Sequence, residues 1–186
     1  MVFQDKADYT AFKGERLRLG GAFQELGNPA PIVSLLDPHL EPKTVGMEGN
    51  TIQLILTAPS FDTPTCAKEA HEFSMRLAQQ EGIEGIFVSM DLPFAAASFC
   101  NRSEVENLTF VSDFKAKAFA KAYGVLIENG PLEGLCARAI FIISKDGRIV
   151  YKHIVPEITD EPDYEEALQK AIAAANQGAS CCGFCQ

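Results

Sequence analysis

Apolar runs and mixed apolar–polar patterns alternate along the chain after residue 50. Three short apolar runs predict buried strands, at residues 51–58, 84–90 and 108–112. Mixed patterns predict helices from residue 64 to near Gly82, over 93–100, and over 114–123 with Gly124 closing the last of them. Strands that alternate with helices in this way favour parallel β–α–β units.

The C-terminal half changes to a different pattern. Strand-like runs at 139–144 and 148–155 flank Lys145-Asp146-Gly147, which is a turn sequence typical of an antiparallel hairpin. A last helix over 163–175 would place Tyr164, Ala167, Leu168 and Ile172 on one face. Parallel units that lead into a hairpin and a closing helix predict an α/β, thioredoxin-like fold with a central mixed β-sheet flanked by helices.

Composition is that of one soluble globular domain, which we assign to residues 1–175, followed by a tail over 176–186. The chain has 186 residues, of which 47% are hydrophobic and 22% charged. Its formal net charge of −9 argues against nucleic-acid and anionic membrane partners. No long apolar run and no secretory leader is present, so we expect a cytoplasmic protein in which a disulfide is catalytic rather than structural.

One cysteine falls where a helix begins. Pro64 suits the first helical position and Thr63 the N-cap, which places Cys66 in the first turn. The unpaired N–H groups and the positive end of the helix dipole favour a thiolate there. A reactive sulfur is therefore predicted at Cys66, although a buried packing cysteine is the simpler alternative.

Five motifs, taken in order and spacing, decide between these alternatives. The chain resembles the peroxiredoxins, and within them the atypical two-cysteine thiol peroxidase (Tpx) subfamily, over about residues 9–175. The matching motifs are Pro59-x-x-x-Thr63-x-x-Cys66, Asp91-Leu92-Pro93-Phe94 followed by Phe99-Cys100, Ala122-Tyr123-Gly124-Val125, the run 130–139 and the run 157–164. The subfamily adds an N-terminal β-hairpin, which residues 9–12 and 17–19 around Lys13-Gly14-Glu15 suggest here.

The resemblance implies a thiol-dependent peroxidase of hydrogen peroxide and organic hydroperoxides that uses no cofactor and no metal. It implies that Cys66 attacks the peroxide and becomes a sulfenic acid, which Cys100 captures as an intrachain disulfide. Thr63 would direct its hydroxyl at the sulfur and the peroxide, Arg138 would supply a permanent cation, and Pro59 would shield the site. It also implies recycling by thioredoxin or a similar dithiol and assembly as a homodimer.

Several residues depart from the family pattern or allow more than one interpretation. The family commonly carries an arginine where this chain has Ser98, which puts a second cation beside Cys100 in doubt. Cys136 is interpreted as a packing residue, and the tail cysteines Cys182 and Cys185 as an accessory redox dithiol, a soft-metal site or a pair without a role. Two other functions use the same residues: a peroxide sensor that oxidises a partner protein, and a disulfide reductase built on the tail dithiol.

Overall fold

The computed structural model describes residues 9–103 and 105–177 of the chain. The strands are β1 (Tyr9–Phe12), β2 (Glu15–Gly20), β3 (Val33–Leu36), β4 (Pro42–Val45), β5 (Ile52–Thr57), β6 (Ile83–Ser89), β7 (Thr109–Ser112), β8 (Leu126–Ile127), β9 (Ala139–Ile143) and β10 (Ile149–Ile154). The helices are α1 (Pro64–Leu77), α2 (Pro93–Ser103), α3 (Ala118–Ala122) and α4 (Tyr164–Asn176). No helix in this part of the chain combines the length and the apolar character needed to cross a bilayer.

A mixed sheet runs through the centre of the molecule in the order β10-β9-β5-β6-β7-β3-β4. The strands β5, β6 and β7 are parallel to one another, whereas β9 and β10 form the antiparallel hairpin. A smaller sheet, β1-β2-β8, contains the N-terminal hairpin. The predicted central mixed sheet and both predicted hairpins are confirmed.

Two hydrophobic cores cover the two faces of the central sheet. Because side chains alternate along a strand, β5 sends Ile52, Leu54 and Leu56 into one core and Ile55 into the other. The first core lies beneath α1 and α4 and contains Cys66, and the second includes α3. A sheet buried on both faces explains why β5 reads as a continuous apolar run.

Three helix predictions need correction. The helix α1 ends at Leu77, because residues 78–82 turn into β6 and Gly82 takes a positive φ of 77°. The helix α3 begins four residues later than predicted, after Lys117 in a left-handed conformation, and the Asp113 carboxylate accepts the N–H groups of Phe119 and Ala120 at 3.2 and 2.9 Å. In α4 the buried residues are Ala167, Ala171 and Ala174, whereas Ile172 is only half-buried.

The strand register brings three chain segments to one edge of the sheet. Since β5 and β6 are parallel, their C-terminal ends are neighbours, with Thr57 opposite Val88. Since β9 is antiparallel to β5, its first residue, Ala139, lies opposite Thr57 on the other side. The loop after β5, the loop after β6 and Arg138 before β9 therefore meet at this edge.

Candidate active site

The loop from β5 to α1 places Cys66 at the start of a helix, as the sequence predicts. Thr63 is the N-cap in an extended conformation, and its hydroxyl oxygen accepts the N–H of Cys66 at 3.3 Å. Pro64 occupies the first helical position. The Cys66 side chain is completely buried, so its sulfur sits at the positive end of α1 and away from bulk water.

Two hydrogen-bond donors contact the Cys66 sulfur. The Thr63 hydroxyl donates to Sγ at 2.6 Å, and Arg138 Nη2 donates to it at 3.3 Å. A hydroxyl, a guanidinium and a helix N-terminus all interact more favourably with a negative sulfur than with a neutral thiol. The arrangement favours the thiolate and holds its two donors beside the position where a reacting oxygen would bind.

Buried contacts fix the orientation of Arg138. Its Nη1 donates to Glu69 Oε2, and its Nε donates to the Ile158 carbonyl at 3.0 Å. Arg138 is only 2% exposed, and Glu69 on α1 is not exposed at all. Burial raises the pKa of the Glu69 carboxyl to about 7, and the Arg138 guanidinium limits that rise. With two of its nitrogens engaged, the guanidinium can direct the third only at the sulfur.

The N-terminal hairpin supports the segment that holds Arg138. Lys13 and Gly14 form its turn with positive φ angles of 53° and 81°. Their N–H groups donate to the Glu157 carboxylate at 3.1 and 3.0 Å, and the Ile158 N–H donates to the Ala11 carbonyl at 2.8 Å. The carbonyl of Ile158 that receives Arg138 is therefore anchored to the hairpin, which gives this extension a positioning role.

Asp91 anchors the loop that precedes Cys66. Its carboxylate accepts the Phe61 N–H at 2.7 Å and the hydroxyls of Ser60 and Ser89 at 2.9 and 2.8 Å. Pro59 lies buried in the same loop, directly after the end of the β5 apolar run. The motif resemblance gives Asp91 no role, but its position directly after a strand that neighbours β5 indicates that it lies near the loop before Cys66.

A surface cavity of about 300 Å³ opens beside Thr63. It is lined by Phe61, Asp62, Thr63, Pro64, Ala67, Phe99 and Arg102. Phe61 and Phe99 lie with their ring centroids 6.0 Å apart in the core, whereas Phe94 is 64% exposed and does not line the cavity. The cavity thus offers aromatic and aliphatic walls beside Thr63, whose hydroxyl contacts the sulfur.

Cys100 lies on α2, immediately after the cavity residue Phe99. Cys66, Cys100 and Cys136, the cysteines of the described residues, are all free thiols. Burial raises the pKa of the half-buried Cys100 thiol. Cys136 has no exposed surface, and burial raises its pKa strongly, as expected for a packing residue. Ser98 turns its hydroxyl to the Phe94 carbonyl at 3.1 Å, and a cation reaches the cavity instead from Arg102.

The end of α4 lies beside the turn between β9 and β10. Lys145 of this turn donates its Nζ to the Ala175 carbonyl at 3.1 Å. Arg138 immediately precedes β9, so it lies at the opposite end of that strand. The predicted accessory dithiol, Cys182 and Cys185, lies outside the described residues.

Comparisons with known proteins match most of the chain. A family model described as Redoxin matches residues 25–168, a range that includes each predicted catalytic position from Pro59 to Arg138. The sequence is 48% identical over 174 residues to a thiol peroxidase of Campylobacter jejuni, which covers 94% of this chain and 95% of that relative.

Solved structures agree with this match. The fold is similar to that of a peroxiredoxin-like protein from Aquifex aeolicus, with a TM-score of 0.88 and 41% identity over 90% of this chain and 98% of that one. A thiol peroxidase from Chromobacterium violaceum gives a TM-score of 0.81 over 91% of this chain and 98% of its own. At 23% identity, that second likeness supports the fold alone.

Proposed function

The chain belongs to the redoxin family as a peroxiredoxin of the thiol peroxidase subfamily, and from this premise we propose that Cys66 is the nucleophile with which it reduces hydrogen peroxide and organic hydroperoxides. One observation carries the assignment: the buried Cys66 sulfur lies between the Thr63 hydroxyl and the Arg138 guanidinium at the start of α1.

The first step uses each of these groups. The Cys66 thiolate attacks one peroxide oxygen, so that an S–O bond forms while the O–O bond breaks. Cysteine is oxidised to sulfenic acid, the peroxide is reduced, and the departing alkoxide or hydroxide takes up a proton to leave as alcohol or water. Arg138 and Thr63 stabilise the negative charge that moves from sulfur to oxygen, because their donors are already fixed before reaction.

The second step removes the sulfenic acid. The Cys100 sulfur attacks the Cys66 sulfur, an S–S bond forms, and the sulfenic oxygen leaves as water. Bonded cysteines need Cα atoms within about 7 Å, and these two occupy separate helices, so we propose that the turn of α2 around the half-buried Cys100 opens before the bond forms. Thioredoxin or a similar dithiol then reduces the disulfide and is itself oxidised. Pro59 takes no chemical part and shields the sulfur.

Replacement of the resolving thiol tests this cycle. We expect Cys100→Ser to consume about one equivalent of peroxide when it stops at the sulfenic acid, and about two when a second peroxide converts that acid to sulfinic acid, since a serine hydroxyl does not reduce a sulfenic acid. Cys136→Ala, which changes a thiol with no exposed surface, is the matched control and should sustain turnover. The measurement is peroxide consumption coupled to a thioredoxin system.

Sustained turnover by Cys100→Ser would show that another thiol resolves the intermediate. One oxidation per chain in the unmutated protein, followed by no further consumption, would contradict an enzyme and indicate a sensor.

We propose further that the protein is a homodimer that uses the beginning of α2. Leu92 and Phe94 are 51% and 64% exposed at this helix start, next to the active-site edge. Light scattering at micromolar concentration should give twice the chain mass of 20.2 kDa, and Phe94→Glu should reduce it to one chain. A mass of 20.2 kDa for the unmutated protein would contradict the dimer.

A further inference from the structure

An ion pair joins two residues that line the cavity beside Thr63. Arg102 Nη2 lies 2.9 Å from Asp62 Oδ1, and both residues line the cavity. Asp62 immediately precedes the N-cap Thr63, and Arg102 follows Cys100 by two residues. The pair therefore connects the loop before the reactive cysteine to the last turn of the helix that bears the resolving cysteine.

Arg102 also stabilises its own end of α2. Its Nε donates to the Ser98 carbonyl, four residues earlier, at 3.2 Å. As a cation in the last helical turn it interacts favourably with the helix dipole. Ser98 and Arg102 bracket Cys100, so one guanidinium fastens this turn both to the helix and to the facing loop.

The Asp62 end of the pair is fixed more firmly than the Arg102 end. The Asp91 carboxylate holds the backbone of Phe61 and the hydroxyl of Ser60, so the loop cannot easily follow a moving helix. Cys66 has no exposed surface, and Cys100 is half-buried within α2. When the turn around Cys100 opens, Arg102 has to leave Asp62.

We propose that the Asp62–Arg102 ion pair is a latch that holds α2 closed and so sets how the Cys66 sulfenic acid divides between capture by Cys100 and further oxidation. Asp62 and Arg102 are positioning residues, and the inference rests on the proposed function. In the competing reaction the sulfenic sulfur attacks a second peroxide, gains an oxygen to become sulfinic acid, and releases water or alcohol. A closed latch prolongs the life of the sulfenic acid and favours that outcome.

The ion pair is expected to change the equilibrium between closed and open α2 only modestly. Both side chains are largely exposed, at 63% and 76%, and exposed pairs of this kind change an equilibrium by about two- to fivefold. That factor suffices to change the division of an intermediate between two competing rates. The effect of the ion pair should also disappear at high salt, because at about 1 M ionic strength charges are screened within about 3 Å.

The test compares Asp62→Asn, Arg102→Gln and the double variant in the full chain. The rate of Cys66–Cys100 bond formation after a rapid peroxide pulse, and the sulfinic fraction by intact mass, are measured at low salt and about 1 M salt. The matched control is Arg148→Gln, which removes another exposed arginine–aspartate pair, Arg148–Asp146 at 3.4 Å, from the turn at the other end of the sheet. A charge-reversed variant, Asp62→Arg with Arg102→Asp, restores an ion pair in which the two charges have exchanged positions.

We expect each single variant to form the disulfide about two- to fivefold faster at low salt and to lower the sulfinic fraction. The double variant should add nothing to the singles, the reversed pair should return toward the unmutated rate, and salt should accelerate only proteins that keep a pair. Unchanged or slower bond formation in the single variants, or an equal effect of Arg148→Gln, would overturn the latch. If the unmutated protein forms no Cys66–Cys100 bond at all, the proposed function itself is wrong, and the latch with it.

Discussion

Cys66→Ser is expected to reduce peroxide consumption to the uncatalysed background. A serine hydroxyl stays protonated near neutral pH even beside a cation and a helix N-terminus, so the nucleophile is lost while its donors remain. The measurement is peroxide consumption with a thioredoxin system, together with alkylation of the remaining cysteines. The closeness in size of serine and cysteine should leave the contacts of Thr63 and Arg138 in place.

Two controls show whether Cys66→Ser loses activity because the thiol is gone or because the protein is misfolded. The melting temperature of Cys66→Ser should stay close to that of the unmutated protein, and Cys136→Ala should keep its activity because Cys136 lies in the second core. Peroxidase turnover by Cys66→Ser would place the reactive sulfur elsewhere in the chain.

Arg138→Ala is expected to lower the rate constant for reaction with peroxide by about a hundredfold, which is comparable with the loss of one oxyanion donor. The substitution removes the guanidinium that donates to the sulfur at 3.3 Å. The rate constant is measured by rapid mixing of the reduced variant and of the unmutated protein with hydrogen peroxide. An unchanged rate constant for the reaction with peroxide would contradict this role for Arg138.

Arg138→Ala also leaves Glu69 without its buried cation, so a second variant is needed to separate this effect from the loss of the donor to the sulfur. Without the guanidinium, Glu69 is a buried carboxyl without its cation, and its pKa, already raised to about 7 by burial, should rise further. Arg138→Lys keeps a positive charge for Glu69 but cannot bond Ile158, Glu69 and the sulfur from one planar group. We expect Arg138→Lys to fold more stably than Arg138→Ala and to remain well below the unmutated rate.

The local features of the site were predictable from the sequence. Thr63, Pro64 and Cys66 form a helix start within four residues, and the physical rules for helix ends act at that range. The β9–β10 hairpin was equally clear, because its turn sequence and its flanking apolar runs are continuous in the chain. The motif resemblance then identified Arg138 and Cys100, which no local rule connects to Cys66.

The contacts between distant segments were not predictable in this way. Glu69 faces Arg138 across 69 positions, and Asp91 binds Phe61 across 30, so neither pairing leaves a local pattern. Glu69 also occupies a helix position that a charged residue normally leaves exposed, and only its fully buried arginine partner explains it. The late start of α3 has a similar cause, since the cap comes from Asp113, several residues before the helix.

The arginine missing at position 98 illustrates how a sequence departure can mislead. Ser98 at that position puts the role of a second cation beside Cys100 in doubt. Arg102, one helical turn after Ser98, lines the cavity and pairs with Asp62, so it supplies a positive charge there from a different helix position. Positions 98 and 102 share a helix face because they are four residues apart. This spacing indicates that an arginine at 102 can occupy the region that an arginine at 98 would occupy.

The most direct test of the two-cysteine cycle is the intact mass of the reduced protein before and after one equivalent of peroxide, with alkylation and peptide mapping. We expect the loss of two hydrogen atoms, a bond that joins Cys66 to Cys100, and protection of both cysteines from alkylation. Oxidation that leaves Cys66 free to be alkylated, or that bonds Cys66 to a cysteine other than Cys100, would contradict it.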